Sequence, residues 1–147
     1  MQIIKANHSH LPQLAVLFDA YRQHYEQPTN VEGAQAYLAE RLEQHDSEIY
    51  AATDEDGTLI GFTQLYPVFS SIGMKKAWIL NDLYVAPEHR RKGAARKLIA
   101  ASRELGERTS ARYIMLQTHI TNTTAQALYE DEGFKRDDEF YYYYLSI

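Results

Sequence analysis

At 147 residues, with 45% apolar and 24% charged residues and a net charge of -5, the chain has the size and balance of one soluble globular domain with its own core. It contains no cysteine, which excludes disulfides and thiolate chemistry, and no apolar run approaches the length of a membrane span. The acidic balance argues against generic nucleic-acid binding. The opening MQIIKANHSH lacks the apolar segment of a signal peptide, so a cytoplasmic location is the default expectation.

In chain order, Ile3, Ile4 and Ala6 predict a short first strand. From Leu11, the apolar positions Leu14, Leu17, Phe18 and Tyr21 recur at helical spacing, with Pro12 tolerated in the first turn. Gln27-Pro28-Thr29-Asn30 breaks that helix, and a second, more polar one follows over Val31 to Gln44. Glu48 to Thr53 and Leu59 to Phe69 read as strands joined by a hairpin, Asp54-Glu55-Asp56-Gly57, in which glycine supplies the positive φ. After a turn at Ser70 to Lys75 comes an apolar strand, Ala77 to Val85, which Pro87 ends because proline cannot donate to a ladder. A helix then runs to about Ser110, a buried strand covers Tyr113 to Gln117, and a capped helix occupies Ala125 to Glu132 before Gly133. Phe140 to Ile147 reads as a tyrosine-rich last strand. The order is β-α-α-β-β-β-α-β-α-β, a mixed α/β single domain spanning 1–147, without internal repeats.

Chemistry concentrates after the central strand. Arg90-Arg91-Lys92 precede Gly93-Ala94-Ala95, and a helix follows. The first N–H groups of a helix have no partner in the helix, and its dipole places partial positive charge there. Small residues let a bulky anion approach those amides, and the basic side chains add charge. A phosphate-bearing ligand fits this arrangement. The common nucleotide loops, GxxxxGK(S/T) and GxGxxG, are absent.

What the segment resembles is the acyl-CoA loop of the GNAT superfamily of N-acetyltransferases, R/Q-x-x-G-x-G/A, here Arg90-Arg91-Lys92-Gly93-Ala94-Ala95 after the strand LNDLYV. Ala95 stands where many members have glycine, which the pattern allows. The resemblance implies a single twisted, mostly antiparallel sheet flanked by helices, with the two helices after the first strand roofing an acceptor site. It also implies acetyl-CoA as acyl donor, its phosphates held by residues 90–95. In that family the central strand splays from its neighbour, so Leu83, Tyr84 and Val85 would bind the pantetheine arm through their backbone. A backbone N–H there would stabilise charge on the acetyl oxygen.

A second segment, N-x-x-A-x-x-L-Y-x-x-x-G-F from Asn122 to Phe134, resembles the motif that closes over the pantetheine arm. Asn122, Ala125, Gln126 and Tyr129 share one helical face. By resemblance Tyr129 is the general acid for the departing CoA thiolate, a task that suits a phenol with an unperturbed pKa of about 10. Asn122 would hydrogen-bond the cofactor arm. Asp82 lies inside an apolar strand, where a carboxylate needs a partner. It is either a general base for the incoming ammonium, with a pKa raised by burial, or a residue that organises the site. Asn81 is expected on the opposite face of the strand, anchoring a helix or loop.

His24 and Tyr25 at the end of the first helix, Tyr66 and Phe69 late in the third strand, and His119 after the buried strand are weaker candidates. The six histidines show no metal-ligand spacing, so no metal is expected. Tyr141 to Tyr144 would form a two-faced strand and, secondarily, a homodimer contact. The expected activity is transfer of an acetyl group to a primary amine of a small molecule, such as a polyamine or amino acid, by direct attack in a ternary complex. Protein or peptide acceptors, or a non-catalytic acyl-CoA-binding module, are the alternatives. No nucleic-acid or membrane partner is expected.

Overall fold

The computed structural model describes residues 1–147. The chain divides into two compact units, Met1–Gln117 and Thr118–Ile147.

The first unit is a five-stranded sheet in the order β1-β2-β3-β4-β5. The strands are β1 (Gln2–Lys5), β2 (Glu48–Thr53), β3 (Leu59–Ser70), β4 (Lys75–Val85) and β5 (Ile114–Met115). All neighbours pair antiparallel except β4 and β5, which are parallel. Helices α1 (Leu11–His24) and α2 (Val31–Gln44) follow β1, and α3 (Ala94–Arg108) connects β4 to β5. The mixed α/β, mostly antiparallel sheet with flanking helices is thus the observed architecture.

Strand β2 shows why its sequence, EIYAAT, is apolar almost throughout. Ile49 and Ala51 belong to a core with Leu14, Phe18, Leu38 and Phe62, under α1 and α2. Tyr50 and Ala52 belong to another with Leu65, Leu80, Leu98 and Leu105, under α3. A sheet covered on both faces loses the alternation of a half-exposed one. Helix α2 is capped by a side chain: Asn30 Oδ1 accepts from Gly33 N at 2.9 Å, one of the orphan donors of a helix start. In the β2–β3 hairpin Gly57 takes φ 81°, and Asp54 Oδ1 accepts from the backbone of Asp56 and Thr58.

Two expectations need correction. The strand expected over Tyr113 to Gln117 shrinks to two half-buried residues, because its pairing with β4 is confined to Trp78↔Ile114 and Ile79↔Met115. The second unit holds one helix, α4 (Thr123–Asp131), with Asn122 as its cap. Phe140 to Ile147 forms no strand, and its large side chains are exposed. Tyrosine favours strands because it packs on a neighbouring strand, and no ladder pairs with this segment.

Candidate active site

Strand β4 carries the site. Its register with β3 runs Gln64↔Asp82 and then Leu65↔Leu80, so Asn81 is an extra residue opposite no partner. Such a bulge bends the strand and re-aims its side chains. Asn81 and Asp82 consequently line the same cavity. The expectation that Asn81 would sit on the opposite face fails here, since strict alternation does not survive a bulge.

The cavity, of about 370 Å³, is lined by Phe18 and Arg22 of α1, Asn30, Gly33, Ala34 and Tyr37 at and within α2, Tyr66 of β3, and Asn81 and Asp82 of β4. Asp82 is only 4% exposed. Gln64 Nε2 donates to its Oδ2 at 2.7 Å and Asn81 Nδ2 to its Oδ1 at 3.0 Å. Ser47 Oγ in turn donates to Gln64 Oε1 at 2.9 Å, and Tyr21 Oη donates to the Asn81 carbonyl at 3.3 Å. Burial pushes the Asp82 carboxyl above its ordinary value of 3.8, against the opposing pull of hydrogen bonds from Gln64, Tyr21 and Asn81. Desolvation of the charged form dominates. A buried carboxylate of raised pKa on a cavity wall can exchange a proton with a guest.

In the same lining, the hydroxyls of Tyr37 and Tyr66 lie 2.5 Å apart. Burial, and then this contact, drive the Tyr66 phenol well above its usual range, so it remains protonated. Asp19 (α1) holds the turn that leads into α2: Thr29 Oγ1 and Asn30 N each donate to it at 2.7 Å. Those bonds lower its pKa, the backbone bond most.

The segment expected to cradle an anion forms a turn into α3. Gly93, the residue before α3, has φ 88° and provides no side-chain cap, leaving the helix's first N–H groups open. A Cβ at Gly93 would meet no protein atom within 4 Å, so the turn is open on that side. Arg91 also has positive φ, at 62°. Arg90 Nε donates to the Val85 carbonyl at 2.8 Å and its guanidinium covers the Tyr84 ring. Lys92 Nζ donates to the Glu88 carbonyl at 3.1 Å. Ala94 is buried and Ala95 half-buried against the core under α3. Upstream, β4 has no paired residue on its β5 side beyond Ile79, so the stretch that includes Leu83, Tyr84 and Val85 presents an open strand edge. An extended, amide-bearing chain satisfies such an edge. Cradle and edge together fit a phosphate attached to an amide-bearing arm.

In the second unit, Asn122 Oδ1 accepts from Ala125 N at 3.1 Å, so its oxygen caps α4. Tyr129 is half-buried and meets the Phe134 ring edge-on at 5.9 Å. Gln126 Nε2 donates to the carbonyls of His119 and Ile120, each at 3.1 Å. His119 Nδ1 is engaged with Thr121, as in an ordinary loop.

Of the weaker candidates, Tyr66 lines the cavity, whereas Phe69, 74% exposed, lies farther along β3 and does not. The rings of His24 and Tyr25 meet edge-on, outside the cavity lining. Sequence reasoning passed over Arg22, Asn30, Tyr37, Gln64 and Ser47. The one available signal was Gln64, a polar side chain inside LIGFTQLY.

The model of the acetyltransferase (GNAT) family matches residues 14–134. The N-acetyltransferase YhfO of Bacillus subtilis (strain 168) is 44% identical over 147 residues, which is 100% of this chain and 98% of that protein. A crystal structure of a "probable acetyltransferase" superposes with a TM-score of 0.95 at 42% identity, covering 100% of this chain and 98% of the other. AAC(6')-Iy in complex with the bisubstrate analog CoA-S-monomethyl-acetylneamine superposes with a TM-score of 0.80 at 23% identity, covering 99% and 98%; at that identity the likeness is one of fold.

Proposed function

The chain belongs to the GNAT family of acetyltransferases, with acetyl-CoA as its acetyl donor, and from that premise we propose that it acetylates a primary amine of a small molecule. One observation carries the reading: a buried carboxylate, Asp82, on the wall of a cavity of about 370 Å³ roofed by α1 and α2. That volume suits a small guest.

Asp82 takes a proton from the incoming ammonium, freeing its lone pair to attack the acetyl carbon in a ternary complex. Its raised pKa makes it a stronger base than an exposed aspartate. Gln64 and Asn81 hold the carboxylate in place. A backbone N–H on the open edge of β4 steadies the charge that develops on the acetyl oxygen. The C–N bond forms, the C–S bond breaks, and Tyr129 returns a proton to the sulfur. Residues 90–95 hold the phosphates and Leu83, Tyr84 and Val85 hold the arm by backbone bonds, with Asn122 adding a contact through its amide nitrogen. Direct attack agrees with a chain that has no cysteine to carry an acetyl group.

We read residues 1–147 as one domain in function, supported by a family match that runs across both units. A cytoplasmic homodimer is the accompanying proposal. The exposed aromatic side chains of Phe140 to Tyr144 support a second copy as their partner, and sedimentation analysis tests it. No helix is long and apolar enough to cross a membrane.

The test of function is thiol release from acetyl-CoA across amino acids, polyamines, aminoglycosides and N-terminal peptides, alongside the shift in unfolding temperature caused by acetyl-CoA. Turnover with free small amines supports the proposal. Turnover confined to peptides refutes it and makes the protein a peptide acetyltransferase.

A further inference from the structure

The charges around the cavity are few and of opposite sign. Its lining contains one acid, Asp82, and one base, Arg22. Arg22 sits in the last turn of α1, half-buried, with no hydrogen bond or ion pair to its guanidinium. Arg41, in the last turn of α2, is by contrast taken up by Glu40 at 2.9 Å, Asp46 at 3.1 Å and the Tyr37 ring. Asp19, one turn before Arg22, has both carboxylate oxygens occupied by Thr29 and Asn30, so the Arg22 charge acts on it only through space. Arg22 thus lines the cavity without a hydrogen bond that commits its donors.

We propose that the acceptor amine carries a carboxylate in the same small molecule, and that Arg22 binds that carboxylate while Asp82 receives the ammonium. The acceptor is then a zwitterion of the amino-acid type. This rests on the reading of the cavity as the acceptor site of a small-molecule acetyltransferase.

Three features support that class over the other amines. An arginine fork matches a carboxylate with two parallel N–H···O bonds, which a lone ammonium acceptor would leave unused. A polyamine or aminoglycoside would set its further ammonium groups against Arg22 with Asp82 the one carboxylate in the lining, and like charges at close range repel. Finally, Phe18, Tyr37 and Tyr66 form aromatic walls along the cavity, suited to an apolar side chain between the two charged ends. A peptide N-terminus presents an amide where the amino acid has its carboxylate, and so leaves the guanidinium unanswered.

Matched acceptors isolate the carboxylate: L-phenylalanine, its carboxamide and phenethylamine, with L-lysine and cadaverine as a second set. The expected result is kcat/KM at least 10-fold higher for each amino acid than for its decarboxylated amine. In Arg22→Gln that ratio falls by about 10–100-fold, the scale of a lost charge-assisted pair, through KM rather than kcat. Arg22→Lys recovers part of it. The unfolding temperature and its shift with acetyl-CoA serve as the folding control for both variants. Cadaverine and phenethylamine turned over as well as their parent amino acids, with a ratio unmoved by Arg22→Gln, overturn the inference and leave the acetyltransferase reading standing. Acetylation of none of the small amines, with peptides accepted or acetyl-CoA still stabilising the fold, overturns both together.

Discussion

Asparagine in place of Asp82 preserves the size of the side chain and removes its ability to take a proton. In the native network both carboxylate oxygens accept, from Gln64 Nε2 at 2.7 Å and Asn81 Nδ2 at 3.0 Å. The orientation of Gln64 is set from behind, because Ser47 Oγ donates to its Oε1. An asparagine at 82 offers one acceptor and one donor, so one of the two amide nitrogens then faces another N–H. That mismatch costs about 1–3 kcal/mol. It is offset in part because no charge needs to be kept out of water. The net stability change is therefore small, roughly 2 kcal/mol or less, whereas kcat/KM falls by about 10²- to 10⁴-fold if the base is lost.

The two pH dependences run in opposite directions. Burial raises the Asp82 pKa above 3.8, so folding favours the protonated form. Its contribution to stability is present in acid and is lost as pH rises through the raised value, and Asp82→Asn gains relative stability over that interval. Activity needs the deprotonated base, so kcat/KM of the native enzyme climbs through the same interval. The ascending limb disappears in the variant. Initial rates of thiol release from pH 4 to 9, with thermal melts at each pH, check both. A kcat/KM within about 3-fold of native, with the ascending limb retained, refutes the base assignment and leaves Asp82 as the residue that organises β3, β4 and the bulge.

Gly93→Val places a β-branched residue at φ 88°, where L side chains pay about 1–2 kcal/mol, and projects it into the open space before α3. The fold should survive while the stabilisation by acetyl-CoA, about 2.7 kcal/mol at 100 times the Kd, disappears; an unaltered thermal shift counts against the cradle. Tyr129→Phe should lower kcat by about 10²-fold or more with little change in the KM for acetyl-CoA. The reverse pattern in steady-state kinetics assigns Tyr129 to binding. Phe62, fully buried and in contact with the rings of Phe18, Tyr21 and Tyr84, should cost about 3–5 kcal/mol when cut to alanine, visible as a melting temperature lower by roughly 10 °C or more. A loss under about 1 kcal/mol would mean the core under α1 closes over the gap.

Features that depend on a few consecutive residues were legible in the sequence. The bend at Pro87 and the tight turn of small residues before α3 arise from local backbone preferences. The same holds for Asn122 at the start of α4 and for the Asp54–Gly57 hairpin. Periodicity placed α1, α2 and α3 within a residue or two of their observed bounds, because each buries one face. The resemblance carried the family.

What only the tertiary structure decided depends on partners far along the chain. A bulge is a property of two strands in register, so nothing in NDLYV announced that Asn81 would join Asp82 on the cavity wall. Gln64, 18 residues from Asp82, became its support only when β3 paired with β4. The extent of β5 is likewise a matter of pairing, and so is the irregular backbone of Phe140 to Ile147, whose composition alone favours a strand. Arg22 is an unremarked residue of a helix end in the sequence. Packing of α1 and α2 over β4 is what brings it to the same cavity as Asp82, since the charge of a site is a sum over elements that only folding assembles.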